Sequence, residues 1–336
     1  MTDAHDEPRS DAEVGLSETP AETCTETLPE QPVSDAGTDA PAETQVSSRP
    51  SLDTIRSAVL CMVSFFTIIR IDVGQKEFDA MENNFWLVPV LGFINGLVAF
   101  MVVTILALCG VGTLLQAIAA LVSMYVFSKF LHFDGLTDSG DGIVVTSGKH
   151  EDHIRALKDS LIGAGGFGVT LCVVLLTVGL YNQIGGISSH HLLGDSYVAM
   201  GIAMVAFCAE ILVKNAQVAA AAFGEPGNGM ASRQVRCTTT PSLMRSTILT
   251  VILLAVATLI GIGVANACSI TAQYSASTVV LLFIVAVMMS IGIGYLMARK
   301  ANRTFGFVNG DILGATNELS RAGILLVTVL LIGLLW

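Results

Sequence analysis

The sequence predicts an all-α integral membrane protein, a bundle of about seven transmembrane helices with a short interfacial or re-entrant helix ahead of it. Composition is the first reason. Of 336 residues 52% are hydrophobic and only 13% charged, with a mean hydropathy of +0.68, whereas an ordinary soluble domain carries roughly a quarter charged residues. The second is a series of apolar runs long enough to cross a hydrocarbon core of about 30 Å. The third is the way lysine and arginine alternate between the connecting loops.

Residues 1–50 stand apart. They hold 12 acidic and 2 basic residues, which accounts for nearly all of the formal charge of −11. Rich in Glu, Asp, Thr, Pro and Ser, this stretch buries too little apolar surface to offset chain entropy, so it is expected to be a disordered acidic tail. It lacks the basic start and apolar centre of a secretory signal. Residues 51–336 then form one polytopic membrane domain that carries the catalytic groups. The run between Arg56 and Arg70 is short for a crossing. Spans are expected near 86–108, 112–130, 164–184, 197–223, 246–266, 278–297 and 319–335. The seven cysteines are scattered without a CxxC pair, so neither a zinc site nor a disulfide framework is indicated and a reducing compartment fits.

Seven crossings sort the basic residues sharply. One side receives Arg56, Arg70, Lys76, Lys129, Lys149, Arg155, Lys158, Arg233, Arg236, Arg245, Arg299, Lys300, Arg303 and Arg321, which is 14 of the 15 bases outside the tail. Lys214 lies within a span, and the opposite side has none. Because basic residues are retained on the cytoplasmic side during insertion, the tail and the long polar loops are expected in the cytoplasm of a plasma-membrane protein. No internal repeat of the kind many transporters carry is visible.

The loop expected at 131–163 opens with HFDGLTDSGDG, which sets Asp134, Asp138 and Asp141 at i, i+4 and i+7. On a helix that spacing stacks three carboxylates on one face. Their mutual repulsion makes the arrangement sensible when a cation sits among them, and Mg²⁺ suits carboxylate oxygens shared with substrate phosphates. His150 and His153 nearby read as a solvated face. The loop closes with LKDSLIGAGGFG, where Lys158, Asp159 and Ser160 precede a glycine-rich helix start suited to an anion. The fourth span holds Glu210, Lys214 and Asn215; ionisable groups at this depth are functional candidates, with the two charges expected to pair. The FGEPGNGMASRQVR loop that follows offers Glu225, Arg233 and Arg236. A last cytoplasmic loop brings Arg299, Lys300, Arg303, Asn309, Asp311, Asn317 and Glu318, with Gly306, Gly310 and Gly314 at every fourth position, a spacing that also serves close helix packing. Acidic motifs and bases on one membrane face point to phosphoryl transfer on a phosphorylated substrate.

These motifs carry a resemblance. HFDGLTDSGDG, LKDSLIGAGGFG and NRTFGFVNGDILGATNELS, with SFFT at Ser64–Thr67 and VPVLGFINGLV at Val88–Val98, resemble the adenosylcobinamide-GDP ribazoletransferases, or cobalamin synthases, over about residues 55–336. Leu161 stands where that family usually has a basic residue, Asn309 where it usually has Thr, and Asp72 replaces an expected Pro. The resemblance implies a Mg²⁺-dependent enzyme that joins adenosylcobinamide-GDP to α-ribazole or α-ribazole 5′-phosphate and releases GMP. It implies metal and phosphate roles for Asp134, Asp138 and Asp141, and supporting roles for Lys158, Asp159, Arg303 and Asp311; Ser160 and Lys214 join the candidate substrate-binding set from the residue reading above. Besides these substrates the expected partner is the lipid bilayer, with no nucleic acid and with an oligomer left open. Two other readings remain at this point, a CDP-alcohol type phosphotransferase of lipid synthesis and a membrane transporter. The first expects Arg soon after Asp-Gly, where this chain continues differently, and the second leaves the cytoplasmic acidic motifs unused.

Overall fold

The computed structural model of the chain describes residues 50–191, 195–268 and 276–335. The acidic tail, apart from Pro50, lies outside the described residues, as do 192–194, 269–275 and 336. Among the described residues the fold is all-helical: α1 Leu52–Phe66, α2 Gln75–Asn83, α3 Val88–Leu108, α4 Thr113–Phe127, α5 Leu131–Val144, α6 His150–Leu157, α7 Ala164–His191, α8 Asp195–Phe223, α9 Ala231–Cys237, α10 Thr240–Ala267, α11 Ala276–Thr304 and α12 Gly310–Leu335. An isolated parallel bridge between Pro226 and Val308 holds the α8–α9 and α11–α12 connections together.

Six helical segments are long and apolar enough to span: Phe85–Leu108, Ala164–Gly186, Gly201–Phe223, Thr240–Ala267, Val279–Thr304 and Gly310–Leu334. The pair α4 and α5, bent by 94° at their junction, brings the count to seven if it is one broken span and is otherwise a re-entrant segment. The chain is therefore a multi-pass membrane protein. The α8 segment forms its axis: 83% of its most apolar stretch is buried inside the protein, against 17–39% for the other five. Around it pack α3, α7, α10, α11 and α12. Ser51 starts α1 by accepting the Thr54 amide at 3.1 Å, and the 15 residues of α1 reach about 22 Å at 1.5 Å per residue, too short to span alone.

Three sequence expectations change. The stretch expected as the 112–130 span stops at Phe127, and the acidic motif expected in a loop is the 14-residue helix α5. The bend between them is made by Lys129 and Phe130, both left-handed (φ 56° and 57°), a conformation that costs roughly 1–2 kcal/mol per non-glycine residue. The Phe130 amide donates to the Tyr125 carbonyl at 2.8 Å and the Ser128 hydroxyl to the Met124 carbonyl at 2.8 Å. The rings of Tyr125, Phe130 and Phe133 pack on one another at the corner. The last cytoplasmic loop likewise shrinks to residues 305–309, because α11 runs on to Thr304 and α12 begins at Gly310. Arg321, counted above with the cytoplasmic bases, is buried within α12.

Glycines let α5 cross the starts of α7 and α12. A Cβ on Gly135 would stand 2.7 Å from the Asp311 carbonyl oxygen, and one on Gly140 would stand 3.0 Å from the Gly166 Cα. The neighbours are backbone atoms of packed helices and cannot yield cheaply. Gly135→Ala is expected to destabilise the protein by about 1–3 kcal/mol through overpacking, seen as a lower unfolding temperature in detergent. Gly148→Ala, with open space around it, should leave that temperature nearly unchanged, and equal effects would dismiss the crossing as a tight contact.

Candidate active site where helix 5 crosses helices 7 and 12

The buried face of α5 presents His132, Gly135, Leu136 and Ser139 to its neighbours. Its other face carries the aspartates. Asp134 is exposed, whereas Asp138 and Asp141 are half-buried. Across the crossing, Asp311 lies half-buried in the first turn of α12. The carboxylates of Asp134, Asp311 and Asp141 all act on the half-buried Asp138, and the backbones of Gly135 and Asp311 touch, so one acidic surface is assembled from two helices far apart in sequence. Asn309 shapes its α12 side. Its Oδ1 accepts the Ile312 amide at 3.1 Å as a helix cap, and its Nδ2 donates to Asp311 at 2.8 Å.

Asp141 has a different occupation. One oxygen accepts the Gly163 amide at 2.8 Å and the other the Gly166 amide at 2.7 Å, so its carboxylate satisfies and neutralises the start of α7. A Cβ on Gly163 or Gly166 would collide with that carboxylate, which is why the LIGAGGFG stretch is small there. Lys158, Asp159 and Ser160 stand exposed in the connection leading into α7, with the Asp159 carboxylate accepting the Leu161 amide at 3.0 Å. Arg303 is exposed in the last turn of α11. His150 and His153 are more than a solvated face. The Nδ1 atom of His150 lies 3.0 Å from the Thr304 carbonyl, and His153 reaches the Gly142 and Ser147 carbonyls, both at 2.8 Å. Helix α6 thereby straps the end of α5 to the α11–α12 turn.

Beneath the acidic surface lies a buried polar cluster that was only partly foreseen. Glu210 and Lys214 do not pair with each other. Arg321 Nε donates to Glu210 at 2.8 Å and the same guanidinium bonds Glu318. Asn95 donates to the second Glu210 oxygen at 2.5 Å, and the Tyr125 hydroxyl donates to Glu318 at 2.7 Å. Lys214 instead donates to His132 Nε2 and to Asn317 Oδ1, both at 2.8 Å, while Asn317 donates to Glu318 at 3.0 Å. Lys214, read above as a substrate-binding candidate, is fully enclosed by protein. Asn215 serves packing, donating to Ser290 and accepting from Ser246. Arg233 belongs to the surface, bridging Asp79 at 2.6 Å and Glu82 at 3.2 Å, and Glu225 and Arg236 are exposed.

Sequence reasoning missed Arg321, Tyr125, His132 and Asn95. The available signal was Arg321 three residues after Glu318 in a segment otherwise apolar enough to span, because a charged group at that depth needs a partner.

An all-helical multi-pass membrane protein with carboxylates gathered at the mouth of its bundle is the class defined by this geometry. The cobalamin-5-phosphate synthase family matches residues 58–329, and the chain belongs to that family. Three curated proteins similar to it are adenosylcobinamide-GDP ribazoletransferases. That of Methanococcoides burtonii is 29% identical over 78% of this chain and 88% of its own length. That of Methanocella arvoryzae is 24% identical over 80% and 92%. That of Halorubrum lacusprofundi is 29% identical over 81% and 96%. No solved structure matches the chain.

The buried cluster makes a prediction. Arg321→Met leaves two enclosed carboxylates without their cation, which is expected to cost about 3–5 kcal/mol. Arg303→Met at the exposed end of α11 should stay within about 0.5 kcal/mol. Thermal unfolding of both variants in detergent measures the contrast, and similar stabilities would remove Arg321 from the structural core.

Proposed function

We propose that the chain is an adenosylcobinamide-GDP ribazoletransferase, which joins adenosylcobinamide-GDP to α-ribazole, or to α-ribazole 5′-phosphate, and releases GMP. Family membership supports the reaction. The observation that carries the site is the gathering of Asp134, Asp138 and Asp311 on one surface from two helices held in contact at Gly135. An acceptor hydroxyl attacks the corrinoid-side phosphorus of the diphosphate; the new P–O bond forms as the bond to GMP breaks, and a carboxylate of the cluster receives the hydroxyl proton.

Mg²⁺ is the proposed cofactor. Among the described residues no group of three or more His, Cys, Asp or Glu side chains could hold a metal ion; the partly open carboxylates of Asp134 and Asp138 are the donor type of an ion that takes one or two carboxylates and completes its shell with water and phosphate. Asp134 and Asp138 would hold it, with Asp311 beside them. When bound, Mg²⁺ offsets charge on the diphosphate. The protein's own part is geometric. Asp141 fixes the start of α7 and, with it, the exposed Lys158, Asp159 and Ser160, which stand ready for the anionic substrate together with Arg303. The resulting acidic surface faces the cytoplasm from the plasma membrane in this proposal, with residues 1–50 on the same side; the one-sided distribution of lysine and arginine supports this orientation.

Asp134→Asn and Asp138→Asn should each lower GMP release from adenosylcobinamide-GDP and α-ribazole by about 10²-fold or more, the scale on which removing one preorganised charge-stabilising group acts. Membranes containing the wild-type chain, assayed with and without added Mg²⁺, supply the reference. Near-normal turnover in both variants would remove the aspartates from the mechanism. For orientation, Lys149→Cys, an exposed position, should react with an impermeant maleimide only in inverted vesicles, and reaction from the outer face would reverse the topology.

A further inference from the structure

We propose that Lys214 and His132 form a buried tether that positions helix α5, so that Lys214 acts on the reaction through α5 and touches neither substrate nor metal. The inference rests on the ribazoletransferase reading for its kinetic part only. Helix α5 begins without a side-chain cap, at the left-handed residue Phe130. Its start therefore needs holding by other means. His132 sits in that first turn, two residues before Asp134, with its side chain turned into the bundle and its ring parallel to that of Phe66. Lys214 extends from the axial helix α8 and donates to His132 Nε2 and to Asn317 of α12, both at 2.8 Å. One ammonium group thus links α8 to α5 and α12, the two helices that carry Asp134, Asp138 and Asp311.

Two observations separate this role from substrate binding. Lys214 is 1% exposed, and its direct partners are protein atoms within the bundle. Lys214 shares the enclosed interior with Arg321, Glu210 and Glu318, two basic groups against two carboxylates, and its own hydrogen bonds go to the neutral groups of His132 and Asn317.

The test uses the full chain in detergent or vesicles, with each measurement normalised to the amount of monodisperse folded protein. His132→Phe keeps a flat ring against Phe66 and removes the acceptor for Lys214. His132→Gln returns an acceptor oxygen and serves as the conservative variant. The tether predicts that His132→Phe lowers kcat at least tenfold with KM for α-ribazole within about threefold, and that His132→Gln recovers most of the loss. A second readout needs no activity: in an Asp134→Cys background, His132→Phe should change the maleimide labelling rate at position 134 at least threefold, and His132→Gln should bring it back. Unchanged labelling in His132→Phe overturns the proposal, as does a rise in KM with kcat intact, which would put the pair in contact with substrate. If the wild-type chain releases no GMP, the ribazoletransferase reading fails while the labelling experiment still decides the tether.

Discussion

The guanidinium of Arg321, enclosed between Glu210 and Glu318, is the constraint on which the arrangement of the bundle depends. Charges at that depth in a bilayer cannot turn to water, so each must find its partner within the protein. Satisfying this one cation draws in Asn95 from α3, Tyr125 from α4, Glu210 from α8 and the α12 backbone that carries Glu318. Asn317 and Lys214 extend the set to His132 on α5. Five helices are thereby placed in register by hydrogen bonds. Apolar packing alone does this poorly in lipid, where neighbouring helices and acyl chains offer similar surroundings.

The sharp bend between α4 and α5 follows from the same set. Tyr125 is held by Glu318 on one side and packs on Phe130 and Phe133 on the other, so the last turn of α4 and the first of α5 close around a fixed aromatic group. Two left-handed residues without glycine would be strained in isolation; here the corner hydrogen bonds and the ring cluster offset that cost. The bend carries the acidic motif across the starts of α7 and α12 instead of leaving it along the bundle. Glycines at 135, 140 and 166 then bring the backbones close enough for Asp138 and Asp311 to share one surface.

Ionisable residues thus divide into two groups. Arg321, Glu210, Glu318 and Lys214 are enclosed and hydrogen-bonded within the bundle, whereas Asp134, Asp138 and Asp311 remain at least partly open. Asp141 belongs to neither, because both its oxygens serve the start of α7. The division matters for reading a membrane enzyme. An intramembrane charge attracts functional interpretation first, yet here the deepest charges find their hydrogen-bond partners inside the bundle.

The sequence by itself determined the membrane class, the helical fold, the approximate spans and the family, because these depend on composition, on run length and on motifs continuous along the chain. The i, i+4, i+7 spacing of Asp134, Asp138 and Asp141 was legible too, although the helix that makes it meaningful looked like a loop, since Gly135, Gly140 and Gly142 lower local helix propensity. Only the tertiary structure decided that Asp311 joins the first two aspartates while Asp141 caps α7, that Glu210 pairs with Arg321 and not with Lys214, and that Lys214 turns towards His132. Those choices depend on which groups meet across helices far apart in sequence. Spacing along one helix states which side chains share a face; it is silent about what that face meets.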